Sequence, residues 1–172
     1  RVAIWDGSSW LSLGAGLNAV VNALAFDSNG NLYAGGNFTD AGGDLSGDRV
    51  AMWNGSVWSA LGSGFGTGQV FALAIDGNDD LYAGGSFTDA VGDLDYIAFW
   101  DGSAWAAVGT GLNNQVNALV ASGATDVYVG GNFTDAGGVT AADRIALWSG
   151  GVWTALGTGI GNNTVFAMTL DG

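Results

Sequence analysis

The chain has 172 residues, a net charge of −13, 32 glycines and no proline, cysteine or histidine. Its acidic residues are all aspartate, and only three arginines oppose them, which disfavours nucleic acid and anionic lipid surfaces as partners. The absence of glutamate and lysine argues against exposed helices, and we expect no membrane span because no long apolar run occurs. Glycine, Asn, Asp, Val, Thr and aromatic residues favour an all-β fold with tight turns.

The first predicted element is a β-hairpin. Two short apolar runs, 2–5 and 10–13, flank a turn that contains Asp6 and Gly7, and this pattern is typical of hairpins. Folding the chain at this turn places Trp5 opposite Trp10, a cross-strand aromatic pair worth roughly 0.2–1 kcal/mol. Because residues 2–5 are apolar at successive positions, we expect neighbours to cover both faces of this strand.

Two further strands follow after a glycine-rich connection. We predict the third strand at 21–26, a turn at 27–30 and the fourth strand at 32–39. The turn beginning at Asp27 resembles the start of a calcium loop, but Asp, Asn and Gly serve a β-turn equally well, and we favour the turn. The third strand returns at 70–75, 116–121 and 165–170, and the fourth returns at 81–88 and 127–134.

The tryptophans define the repeat period. Their pairs recur 48, 47 and 48 residues apart. A constant period of this length with four short strands is typical of a β-propeller blade, whereas a β-solenoid needs a shorter coil. The pairs are Trp5/Trp10, Trp53/Trp58, Trp100/Trp105 and Trp148/Trp153.

The sequence therefore predicts an all-β protein, a β-propeller of about four four-stranded antiparallel blades. One repeat domain spans 1–172, with repeats at approximately 1–48, 49–95, 96–143 and a partial one at 144–172. Small residues such as Ala23 and Ala25 place the third strand innermost and the Trp hairpin outermost. The closing blade then lacks its second strand, so we expect a fragment or an incompletely closed propeller with an unpaired edge.

Three stretches, 31–43, 80–92 and 126–138, share the pattern Tyr-Ala/Val-Gly-Gly-Asn/Ser-Phe-Thr-Asp, and each precedes a Trp hairpin. They resemble the propeller repeats of large bacterial surface and secreted proteins and of the fungal cortical polarity-marker family. Residues 25–36 are also similar to NHL-type and lectin-propeller blades. The resemblance implies an extracellular or cell-surface location and a non-enzymatic scaffold or adhesion role, although a fold alone does not assign function.

The acidic loops that precede the Trp hairpins are candidate cation sites. Clustered carboxylates repel one another unless they are paired or bridged by a hard cation such as Ca²⁺. In the alternative interpretation the loops are solvated, and Asp48 and Asp143 pair with the adjacent Arg49 and Arg144. The candidate calcium ligands are Asp40, Asp44 and Asp48 in the first copy, and Asp89, Asp93 and Asp95 in the second.

A carbohydrate-binding propeller is the alternative function. The tryptophans follow the repeat, so we expect them to pack between blades instead of forming sugar platforms. A lectin would use residues that face a groove, and the candidate ligand contacts are Asn37, Asn132 and Tyr96. Selective glycan binding that is lost on mutating Asn37 and Asn132 would favour this alternative.

Catalysis is not expected. Without His, Cys, Lys or Glu, the usual general bases and activated nucleophiles are missing. The aspartates follow the repeat, whereas an active site departs from the local pattern at one place. We therefore expect a non-catalytic, extracellular structural or adhesive module with no cofactor or with Ca²⁺ alone. Its expected partners are other protein chains or copies of itself, joined by strand donation into an oligomer or fibre.

Overall fold

The computed structural model describes residues 2–88 and 95–171, which contain fourteen β-strands and no helix. The strands form three four-stranded antiparallel sheets and one two-stranded hairpin, so the all-β prediction is confirmed. The hairpin pairs β1 (Ala3–Trp5) with β2 (Trp10–Ser12).

The three sheets follow one another along the chain. The first sheet consists of β3 (Val21–Phe26), β4 (Leu32–Gly36), β5 (Val50–Trp53) and β6 (Trp58–Ala60). The second consists of β7 (Val70–Ile75), β8 (Leu81–Gly85), β9 (Ile97–Trp100) and β10 (Trp105–Ala107). The third consists of β11 (Val116–Ser122), β12 (Asp126–Gly131), β13 (Ile145–Ser149) and β14 (Val152–Ala155).

Within each sheet the strands lie in chain order, because each strand pairs with the next one along the chain. A sheet begins with the third and fourth predicted strands of one sequence repeat and ends with the Trp hairpin of the next. The repeat bounds near 48, 95 and 143 therefore fall inside the sheets and not between them. Neighbouring sheets meet along their first strands, since β3 contacts β7 and β7 contacts β11.

The fourth predicted strand is shorter than expected. It ends at Gly36 in the first sheet, not at Thr39, and its equivalents end at Gly85 and Gly131. The amide of Asn37 donates to the carbonyl of Val20 at 2.9 Å, a partner that precedes β3 and does not continue the ladder. The chain leaves the sheet at this point, and a fully buried phenylalanine follows in each copy: Phe38, Phe87 and Phe133.

Two strand predictions at the ends of the array are wrong. Residues 165–170 lie outside any strand, because no second strand pairs with them in the described part of the chain. The expected covering of β1 on both faces also fails, since Ile4 and Trp5 are about half exposed. In both places the sequence pattern is that of an internal strand, but the neighbour that such a strand needs is missing among the described residues.

The tryptophan pairing is confirmed in all four hairpins. Each pair is in register across its hairpin, and the ring centroids lie 5.1–5.6 Å apart. The second Trp of each sheet also reaches back to the connection before that sheet: Trp58 Nε1 donates to the Leu13 carbonyl at 2.8 Å, and Trp105 Nε1 donates to the Leu61 carbonyl at 2.9 Å. These indoles satisfy their donor while they are buried between successive sheets.

A pair of glycines at the end of each second strand lets the sheets approach one another. A Cβ at Gly35 would lie 2.5 Å from Cγ1 of Val70 in the next sheet, which is shorter than any ordinary contact. A Cβ at Gly36 would overlap the carbonyl of Val20 within its own sheet. The same two restrictions recur at the second and third sheets. Packing therefore requires both glycines: the first because of the valine that follows in the next copy, and the second because of a main-chain carbonyl next to its own sheet.

We predict that Gly85→Ala destabilises the protein. The new Cβ would overlap the main-chain carbonyl of Gln69, which cannot rotate away, so the free energy of unfolding should fall by about 1–3 kcal/mol. Gly66→Ala is the matched control, because a Cβ there meets nothing within 4 Å and its φ is not positive. The control should be neutral or more stable by about 0.4–1 kcal/mol. Denaturant unfolding measures both, and equal stabilities would contradict the packing argument.

Candidate functional site

The loops that carry the candidate calcium ligands are held by two arginines. Arg49 and Arg144 adopt left-handed backbone angles, with φ of 67° and 66°. Arg49 Nε donates to the Gly68 carbonyl at 2.8 Å, and its Nη1 donates to the Phe38 carbonyl at 3.2 Å. Arg144 makes the corresponding bonds to the carbonyls of Gly161 and Phe133. Each guanidinium thus links its loop by hydrogen bonds to the connection that precedes the next copy of the predicted third strand.

The aspartate before each arginine is its ionic partner. Asp48 Oδ1 lies 3.4 Å from Arg49 Nη1, and Asp143 Oδ1 lies 3.6 Å from Arg144 Nε. This is the pairing of the alternative interpretation in which the loops bind no metal. Because these carboxylates remain about a quarter exposed, we expect the carbonyl bonds of the arginine to contribute more stability than the ion pair does.

The other acidic residues of the first loop are engaged locally. Asp40 Oδ1 accepts a hydrogen bond from the Gly43 amide at 2.7 Å, and Asp44 Oδ1 accepts one from the Ser46 amide at 2.9 Å. The bond from the Ser46 amide lowers the pKa of Asp44. No group of three acidic side chains placed to hold a metal ion occurs among residues 2–88 and 95–171. Asp89 and Asp93 lie outside these ranges, so the calcium site stays a prediction.

The second sheet departs from the other two at the arginine position. Tyr96 occupies it with φ of 65°, and its amide donates to the Phe87 carbonyl at 3.0 Å, as the Arg49 amide does to Phe38. The neighbouring Asp95 accepts a bond from the Leu112 amide through its main-chain carbonyl. Sequence reasoning named the two arginines as ion-pair partners but missed their bonds to main-chain carbonyls, although their recurrence 95 positions apart, in alternate copies, was a visible signal.

The three candidate carbohydrate contacts are distributed over three sheets. Asn37 is exposed at the end of the first sheet's second strand. Asn132 holds the equivalent place in the third sheet, where its Oδ1 accepts a bond from Thr164 Oγ1 at 3.1 Å. Tyr96 lies in the loop of the second sheet. The Asn132 amide oxygen is thus already engaged within the chain, and the carbohydrate site stays a prediction.

An exposed apolar surface lies on the face of the first sheet that is turned away from the second sheet. Leu24 and Phe26 of β3 are 50% and 64% exposed, whereas the equivalent Leu73 and Leu119 are buried against the preceding sheet. The β1–β2 hairpin stands over this face without filling it, and a cavity of about 510 Å³ remains between them. Its apolar lining includes Ile4, Trp5, Leu11, Leu24, Phe26, Leu32 and Trp53.

Buried tyrosines lie close to the turns that join first and second strands. Asp27 Oδ1 accepts bonds from the amides of Asn29 and Asn31, so the stretch that resembles a calcium loop forms the expected turn. Burial, with Asp27 nearby, raises the pKa of Tyr33 to about 12. Burial, with Asp76 and Asp80 nearby, raises the pKa of Tyr82 to about 12 as well.

Comparison with known proteins adds no assignment to this geometry. No protein-family model matches the chain, and no curated protein is significantly similar to it. Within the described ranges, no helix has the length and apolar character needed to cross a membrane.

We predict that Arg49→Lys destabilises the chain more than Asp48→Asn. Lysine keeps the charge but cannot make both carbonyl bonds, each worth about 1.5–3 kcal/mol for a charged donor. Asp48→Asn removes only the exposed ion pair and should cost no more than about 1 kcal/mol. Thermal unfolding of the two variants and the parent chain measures this order. The reverse order would show that Asp48 has a role beyond pairing with Arg49.

Alkaline pH should destabilise the protein through its buried tyrosines. The native pKa values of Tyr33 and Tyr82 are about 12, above the ordinary value of 10.0. Their stabilising effect is complete below about pH 10 and is lost as the pH rises towards 12, because only the unfolded chain ionises readily in that window. The double variant Tyr33→Phe/Tyr82→Phe should lose less thermal stability between these pH values. An equal loss in both proteins would contradict this explanation.

Proposed function

We propose that the protein is a non-catalytic structural module of the β-propeller type, which acts at the cell surface or outside the cell by binding other protein chains, including copies of itself. The observation that carries this proposal is the open apolar face of the first sheet. Contiguous exposed apolar surfaces on a folded domain commonly mark interaction sites.

The packing between the three sheets supports the propeller part of the proposal. Each sheet has four antiparallel strands in chain order, and successive sheets meet along their first strands. Propeller blades are arranged in this way around an axis. The sequence-level resemblance to propeller repeats of surface proteins supports the location, and the net charge of −13 would favour solubility in that setting.

The exposed face supports the interaction part of the proposal. Its leucine, Leu24, is equivalent to Leu73 and Leu119, which neighbouring sheets bury elsewhere in the same array. Covering them would remove apolar surface from water at roughly 25 cal/mol per Å². Association through this face would repeat, at Leu24, a contact that the protein already makes internally at Leu73 and Leu119.

We expect the chain to self-associate in light-scattering measurements over a range of protein concentrations. Leu24→Asp/Phe26→Asp places two charges on the face and should shift the mass to the monomer. Val57→Asp is the control, because Val57 is 55% exposed in the turn of an outer hairpin, and it should leave the mass unchanged. A parent chain that stays monomeric at all concentrations would contradict assembly through this face.

Calcium is tested in the same measurement. If the acidic loops join copies, chelator should dissociate the assembly and Ca²⁺ should restore it. The variant Asp40→Asn/Asp44→Asn should then lose this dependence. A mass that is the same with Ca²⁺ and with chelator would remove calcium from the proposal and leave apolar association in place.

A further inference from the structure

Asparagine followed by glycine occurs twice in the chain, at Asn54-Gly55 and at Asn29-Gly30. In this dipeptide the glycine amide nitrogen can attack the carbonyl carbon of the asparagine side chain, because glycine has no side chain of its own to obstruct the approach. The two dipeptides lie in turns of different construction. Asn54 lies in the turn of the β5–β6 hairpin, whereas Asn29 lies in the turn between β3 and β4.

The turn at Asn54 holds the carbonyl group that is attacked and leaves the attacking nitrogen free. Asn54 Oδ1 accepts hydrogen bonds from the amides of Ser56 and Val57, each at 3.0 Å. The Gly55 amide donates to no acceptor among the described residues. Two N–H donors on one oxygen are the arrangement that stabilises an oxyanion when a nucleophile adds to the carbonyl carbon. The turn is exposed, so water reaches the side chain.

The turn at Asn29 has the opposite arrangement. The Gly30 amide donates to the Asp27 carbonyl at 3.2 Å, so the attacking nitrogen is already engaged. No described amide donates to the side-chain oxygen of Asn29, whose own main-chain amide donates to Asp27 Oδ1 at 3.0 Å. The turn is also fixed to the next sheet, because Ser28 donates to the Asp79 carboxylate from both its amide and its hydroxyl. The same dipeptide therefore lacks the oxyanion donors here.

We propose that Asn54 is a site of spontaneous deamidation, at which the turn of the β5–β6 hairpin promotes the conversion of asparagine to aspartate. The Gly55 nitrogen forms a bond to Asn54 Cγ, the bond from Cγ to Nδ2 breaks, and the Gly55 amide proton leaves with Nδ2 as ammonia. Water then opens the cyclic imide at one of its two carbonyls and yields aspartate or isoaspartate. The sequence of steps consumes one water, releases one ammonia and needs neither an oxidant nor a reductant.

The aspartate product fits the turn, since two other hairpins already have aspartate at this position. Asp6 Oδ1 accepts bonds from the amides of the second and third residues after it, at 2.7 and 2.8 Å. Asp101 Oδ1 accepts the two equivalent bonds, both at 2.8 Å. These main-chain bonds lower the pKa of Asp6 and of Asp101. An aspartate at position 54 should therefore be ionised at neutral pH and make the net charge more negative by one.

The isoaspartate product does not fit the turn. It has an additional carbon in the main chain of a hairpin in which Trp53 pairs directly with Trp58. The ring centroids of this pair lie 5.5 Å apart, and the added atom would shift their register. The folded chain thus distinguishes the two products, because the aspartate form keeps the tryptophan pair and the isoaspartate form disturbs it.

The test is incubation of the intact folded chain at mildly alkaline pH, followed by peptide mass spectrometry that separates aspartate from isoaspartate. We expect Asn54 to convert at least about tenfold faster than Asn29, since one shielded oxyanion donor is worth about 10²–10³ in rate and an exposed donor is worth less. In denaturant both turns are lost, and the two rates should become similar. Equal rates in the folded chain, faster conversion of Asn29, or a ratio that persists in denaturant would overturn the role of the turn.

The variant Ser56→Pro tests the donors directly, because proline has no amide proton. Conversion of Asn54 should slow by about threefold to tenfold when one of the two donors is lost. Ser103→Pro is the matched control: it removes the equivalent donor to Asp101 in the β9–β10 hairpin and should leave the rate at Asn54 unchanged. An unchanged rate in folded Ser56→Pro would overturn the inference. The comparison of Asn54 with Asn29 needs no substitution, so it decides the matter even if Ser56→Pro fails to fold.

The variant Asn54→Asp tests the product. We expect it to keep the thermal unfolding transition and the tryptophan fluorescence of the parent chain, because Asp6 and Asp101 make the same bonds in their own hairpins. Material enriched in isoaspartate at this position should differ from the parent in tryptophan fluorescence. A lower unfolding temperature for Asn54→Asp would overturn the part of the inference that concerns the fit of the product.

Discussion

The contact between a valine on the first strand of one sheet and a glycine on the second strand of the sheet before it organises the whole array. Val70 on Gly35, Val116 on Gly84 and Val165 on Gly130 are the same contact in successive copies. A larger residue in place of the glycine would push the neighbouring elements apart and would displace the leucine or methionine that packs beside each valine. Because interiors tolerate little overpacking, this one contact restricts the sequence of every second strand.

The same contact explains where the molecule is open. The first sheet has the valine and leucine of this contact but, among the described residues, no glycine strand in front of them, and Leu24 is therefore exposed. Residues 165–170 have their glycine, Gly130, but no second strand at their side. The first place thus lacks the contact between sheets, whereas the second has that contact and lacks a paired strand among the described residues. The function that we propose uses the first of these places, the exposed face of the first sheet, where a partner can continue the packing already present.

The connecting loops illustrate how acidic residues in a repeat can serve structure. Their aspartates accept hydrogen bonds from nearby amides or pair with an arginine. That arginine also donates to main-chain carbonyls on two different connecting segments. An arginine in the left-handed region is uncommon, and here the three bonds of its amide and guanidinium hold it in place. Tyr96 preserves the backbone geometry without the charge, which makes the middle loop chemically distinct from the two beside it.

The sequence by itself determined the strand content, the position of the turns and the pairing of the tryptophans, because these depend on local patterns of period two and on Asp-Gly turns. It also located three of the four first strands, with bounds that the structure keeps at 21–26 and 70–75 and extends by one residue at 116–122. Residues 165–170 have the same pattern, yet they form no strand. A strand needs a paired neighbour as well as a pattern, and no described residue pairs with this segment.

The candidate sites depended still more on tertiary structure. The sequence suggested the pairing of Asp48 with Arg49, but it could not reveal that Arg49 also donates to the Gly68 carbonyl or that Thr164 donates to Asn132, because these partners follow from loop geometry and not from composition. The Gly-Gly motif was visible in the sequence, but its reason was not. A side chain on the first glycine would overlap a neighbouring sheet, and a side chain on the second would overlap a main-chain carbonyl next to its own sheet. Local chemistry thus specifies the strands of this protein, whereas the close approach between sheets decides which surfaces are buried and which are left for a partner.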